Sequence, residues 1–108
     1  MIKSFESLVK ACPRKFVTLQ VPDSKEEIQL YELTVADRSE YFILKDSEDR
    51  DLDYLAAFVV ARSSGFIEDD QIASLAESMG SNVLNIFALE VLRISGMLSN
   101  AYEDAKKK

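Results

Sequence analysis

A chain of 108 residues with 47% hydrophobic and 30% charged side chains has the composition of one folded domain, large enough to bury a modest core without metals or disulfides. Its formal charge of −6, with no histidine, argues against nucleic acid as a partner, because phosphate binding needs concentrated Lys and Arg. Cys12, the only cysteine, has no partner for an internal disulfide and suits a reducing compartment.

In chain order, residues 4–11, "SFESLVKA", suggest a short helix within a 1–14 leader. Ser4 can cap it, Phe5, Leu8 and Val9 share a face, and Pro13 stops it. The leader carries no secretory signal pattern, since Lys10, Arg14 and Lys15 bracket too short an apolar stretch. "KFVTLQV" then alternates, placing Val17, Leu19 and Val21 on one side and Thr18 and Gln20 on the other. "VPDS" at 21–24 reads as a type I turn, with Pro22 second and Asp23 third. "EIQLYEL" at 27–33 supplies the return strand, so residues 15–33 form a β-hairpin.

At Thr34 the strand period gives way to a helix. The Thr34 hydroxyl can accept a backbone N–H of the first turn, and Asp37, three residues on, favours the positive end of a helix. A helix over about 35–45 is expected to place Val35, Phe42 and Ile43 inward, with Arg38, Glu40 and Lys45 in water. The acidic "DSEDRD" at 46–51 reads as a solvated connector. A helix from about 52 to 63 ends at Gly65, a third opens at "EDD" (68–70) and stops at Gly80, and Ser81 caps a fourth over about 82–98. The tail 99–108 is expected to fray. The fold class is therefore α+β in a single domain 1–108, with an N-terminal β-hairpin followed by a mainly α-helical bundle of about four helices over 34–98.

Catalytic chemistry finds no support in these residues. Without histidine the commonest general base is missing, and one cysteine cannot form a Cys–His pair. The three glycines are far apart and build no phosphate loop. A calcium loop started at Asp49 puts Tyr54 where glycine is required and Val60 where the bidentate Glu belongs. Ser47 lies in an Asp-Ser-Glu context, not the Asp-Ser-Leu that receives phosphopantetheine in small acidic carrier proteins. No cofactor or metal is expected, the chain does not read as an enzyme, and its longest apolar run, "YLAAFVVA" at 54–61, is far short of the roughly 20 residues that span a membrane.

Apolar excess on two helices is the more informative feature. "YLAAFVVA" has little surface to show water. In the last helix Val83, Phe87, Val91, Ile94 and Leu98 form one stripe, and Ile86, Leu89 and Met97 form a second, flanked by Asn82, Glu90 and Arg93. Two readings stay open. Both helices are central in a small bundle, or the second stripe is a protein-binding face, with Ile86, Leu89, Glu90, Arg93 and Met97 as its partner-binding residues.

The succession of a hairpin, "LTVADRSEYF", an acidic break, "LDYLAAFVVARSSGF" and "DDQIASLAESMGSNVLNIFALEVLRISGM" resembles the tail assembly chaperones of long-tailed bacteriophages and prophages, over residues 16–98. The closing "ALEVLRISGM" carries most of the likeness. The resemblance implies a chaperone without ATPase activity that coats the tape measure protein in the host cytoplasm, with the tail tube protein as a second partner, and that is absent from the mature virion. It also implies a longer form made by ribosomal frameshifting, for which the terminal "KKK" is compatible with a slippery site. Self-association through the apolar stripe is a further expectation, and a small acidic adaptor or inhibitor using the same face is the alternative.

Overall fold

The computed structural model describes residues 1–98 and places a two-stranded antiparallel sheet beside a helical layer. The elements are α1 (Phe5–Ala11), β1 (Phe16–Gln20), β2 (Glu27–Tyr31), α2 (Val35–Lys45), α3 (Leu52–Ser64), a 3-10 turn (Asp69–Gln71), α4 (Ile72–Ser78) and α5 (Ser81–Ile94). The hairpin and the mainly helical remainder stand as the sequence indicates. Five α-helices are present among the described residues, one of them ahead of the hairpin, and the expected fraying of 99–108 lies outside those residues.

Val17 pairs with Leu30 and Leu19 with Ile28, so these apolar partners share one face of the ladder, and Phe16 pairs with Tyr31. That face lies on the core, where Leu30 is fully buried and Val17, Leu19 and Ile28 are half-buried. On the opposite face the rings of Phe16 and Tyr31 stand 5.7 Å apart. The turn differs from the type I expectation. Asp23 has φ +60°, which its third position adopts in a type II turn, and Ser24 donates to the Val21 carbonyl at 3.2 Å.

Core burial centres on α3. Residues 55–61 are all buried, as is Ser63, because α2, α4, α5 and β2 pack around this one helix. A helix apolar on nearly every side avoids water only in such a central position. Asp51, the last residue of the acidic connector, is its N-cap: one carboxylate oxygen accepts the N–H groups of Asp53 and Tyr54 at 3.0 and 3.2 Å. Gly65 ends the helix at φ +81°, the left-handed geometry expected there.

Two helices depart from expectation. In α2 the buried residue is Tyr41, with Leu44 and Asp37 half-buried below it, whereas Val35 is 85% and Ile43 72% exposed and Phe42 faces water. The rotation is set by Arg62 of α3, which binds Asp37 at 2.9 Å and Glu40 at 3.3 Å and so turns the Asp37–Tyr41–Leu44 row inward. Phe42 is partly covered by the cations of Arg38 and Lys45, 5.6 and 5.9 Å from its ring centre. In α5 the cap is Gly80, not Ser81, and the helix stops at Ile94, ahead of Gly96 at φ +76°. Its core row is Leu84, Phe87, Ala88, Val91 and Leu92, so the expected first stripe is rotated by about one residue.

Candidate apolar docking cleft

Of the residues singled out on the last helix, Ile86 and Leu89 project from α5 into solvent, 48% and 50% exposed. They occupy the side of α5 turned away from Phe87 and Val91, because positions three and four apart share a helix face. Glu90 and Arg93 lie beside them and bind each other, with the Arg93 Nη2 atom 2.7 Å from Glu90 Oε1 and Nε 3.2 Å from the same oxygen. The hydrogen bond that Arg93 donates to Glu90, helped by the negative charge of Glu90, raises the Arg93 pKa further above its usual range. The pair lies at the surface, so it contributes little to stability.

Met97 does not belong to that strip. It follows the end of α5, packs half-buried against the core, and donates its backbone N–H to the Leu92 carbonyl at 2.8 Å. The turn through Ser95 and Gly96 carries the chain back over the core, and the Ser95 hydroxyl accepts the Leu33 N–H at 2.9 Å. The seven-residue spacing from Glu90 to Met97 would place both on one face only if the helix continued.

Leu89 has a second neighbourhood that the sequence did not show. It forms one wall of a solvent-open cleft of about 360 Å³ between α2, α3 and α5. The floor is Leu55, Ala56 and Val59 of α3, the α5 wall is Ala88, Leu89 and Leu92, and Tyr41 of α2 and Leu52 close the other side, with Asn85 the polar side chain among them. Leu52 is 66% exposed, so the cleft has an apolar lip as well as an apolar floor. Burial in this environment raises the Tyr41 pKa. The small residues Ala56 and Ala88 open the groove. The Leu84/Ala88/Leu92 row at four-residue spacing was present in the sequence as a signal, but the meeting of three helices was not.

The cleft adjoins a smaller hollow lined by Leu44, Ser47, Asp49, Arg50, Asp51 and Leu55, the last of these shared between the two. The segment 46–53 holds five carboxylates against Arg50, so one end of the apolar groove is bordered by negative charge. Among the described residues no cluster of Cys, Asp and Glu could hold a metal ion, and no helix is long and apolar enough to cross a membrane. The arrangement can bury apolar side chains of another chain.

Comparison of the chain with protein-family models, with curated proteins and with solved structures gave no match.

Proposed function

We propose that this protein is a tail assembly chaperone of a long-tailed phage or prophage, which holds the tape measure protein in soluble form while the tail tube assembles, with the tail tube protein as a second partner. The observation that carries the reading is the open apolar cleft walled by Leu55, Val59, Ala88 and Leu89, with Ile86 and Leu52 exposed beside it, on a domain of charge −6. A groove between helices accepts the apolar stripe of a client helix, by the same physics that packs helices within a domain. Net negative charge keeps the resulting complex soluble. The resemblance described for the sequence over residues 16–98 adds to this reading, and the host cytoplasm is where such a protein would act.

Coexpression with the long helical protein encoded downstream tests the proposal. The wild type should keep that protein in the soluble fraction. Leu89→Glu and Ile86→Glu, each with an unchanged melting temperature, should let it precipitate. A genomic setting with no long helical reading frame nearby would sink the chaperone reading and favour a small acidic adaptor or inhibitor that uses the same cleft. Folded variants that still solubilise the client would place the binding surface elsewhere.

A further inference from the structure

α1 has a complete local design but lies exposed among the described residues. Ser4 accepts the Ser7 N–H at 3.1 Å as its cap, and Lys10 stands in its last turn, yet none of its residues is buried. Phe5 is 77% exposed, with Ile2, Leu8 and Val9 each about half exposed. Seven residues are too few for a stable isolated helix, since helices below about 12–15 residues are marginal in water. Within its own chain the apolar side of α1 is left largely exposed.

We propose that this apolar side docks in the α2/α3/α5 cleft of a second copy of the chain. Apolar character matches on both sides, and charge does too. Residues 1–15 carry Lys3, Lys10, Arg14 and Lys15 against Glu6, a surplus of three positive side chains, so the remainder holds −9 of a chain whose total is −6. The acidic 46–53 segment borders the cleft at Leu52 and Leu55, where it meets the lysines flanking an incoming α1.

Within one copy α1 does not occupy the cleft: none of its residues is buried and none lines the groove. Arg14 is pinned by hydrogen bonds to the carbonyls of Glu32 at 2.8 Å and Arg62 at 3.5 Å, and the Lys15 N–H is held by the Glu32 carboxylate at 2.7 Å. Arg62 lies near the C-terminal end of α3. One short helix in one groove buries less than the roughly 1,600 Å² of a standard interface, so a single contact is weak. Two reciprocal contacts about a twofold axis double the area. The proposal concerns the cleft assigned above to a client but needs no client, and the free protein alone tests it.

Sedimentation velocity over a concentration series should show reversible self-association that weakens as salt rises from about 0.05 to about 0.5 M. The double substitution Phe5→Glu with Leu8→Glu should weaken it at least about tenfold while leaving the thermal melt unchanged, because α1 buries nothing. Leu89→Glu should weaken it equally from the other side. A spin label on Cys12, mixed with isotope-labelled Cys12→Ser protein, should broaden the amides of Leu55, Ala88 and Leu89. A protein that stays monomeric at every concentration overturns the proposal, as does association unaffected by the α1 substitutions. Broadening confined to α1 overturns it in favour of helix pairing, and a monomer that binds anionic vesicles through α1 overturns it in favour of a lipid surface.

Discussion

Arg62 shows how much one side chain can organise. Its guanidinium binds Asp37 and Glu40 of α2 at 2.9 and 3.3 Å and Asp69 of the 3-10 turn at 3.1 Å, and lies 4.8 Å from the centre of the Phe58 ring. Burial lowers its pKa, but the hydrogen bond with Asp37 and the charges of Glu40 and Asp69 outweigh that, and it remains a cation throughout the stable pH range. Arg62→Met would keep the stem against Phe58 and strand the Asp37 carboxylate, which is 13% exposed. The expected loss is about 1–3 kcal/mol in urea denaturation, the usual cost of an unpaired, largely buried polar group. Arg62→Lys should restore only part of it, since an ammonium cannot hold the three carboxylates in one plane. Tyr41 supplies a pH test. Burial raises its folded-state pKa, so its contribution is fully present below the unfolded tyrosine value of about 10 and is lost as pH climbs from there through the folded value. Thermal melts should therefore fall with alkaline pH more steeply in the wild type than in Tyr41→Phe.

At the scale of elements, local signals fixed where helices begin better than they fixed which way helices face. Thr34 caps α2 as its sequence promised, with its hydroxyl accepting the Asp37 N–H at 3.2 Å. Asp51 caps α3 through two N–H groups, although its acidic surroundings read as a solvated connector. Thr34→Ala and Asp51→Ala should each lower stability by about 1 kcal/mol in chemical denaturation, with Asp51 the larger because it satisfies two donors. Equal melts for wild type and both variants would show that tertiary packing, not capping, sets these helix starts. The inward row of α2 was illegible because Val35, Phe42 and Ile43 are more apolar than Tyr41, Leu44 and Asp37 taken together. The Arg62 cluster that overrides this preference lies 25 residues away from Asp37 in sequence.

Across the whole molecule, burial divides the apolar residues into two functional groups. Phe58 is 1% exposed at the centre of the core, and Phe58→Ala should cost about 3–5 kcal/mol. Leu89, half exposed on the wall of the cleft, contributes little to the free domain, and Leu89→Glu should shift the same denaturation midpoint only slightly. A large loss for Leu89→Glu would assign its side chain to the core and remove the cleft as a docking surface. The contrast matters because the two residues look alike in sequence. Each is a large apolar residue on an apolar helix, and only the packing of α2 and α5 around α3 separates them.

The sequence alone determined the features that depend on near neighbours. Alternation over 15–33 set the hairpin and its buried face, Thr34 and Gly65 set helix ends, and the unbroken apolar run at 54–61 set the central helix, because each follows from backbone geometry and spacing within a few residues. The tertiary structure decided what depends on distant partners. It turned Tyr41 inward through Arg62, ended α5 at Ile94 and folded Met97 back on the core, and it left Leu89 beside an open cleft and α1 without cover. Periodicity shows that a helix has an apolar face, but the neighbours available to that face depend on where the rest of the chain packs.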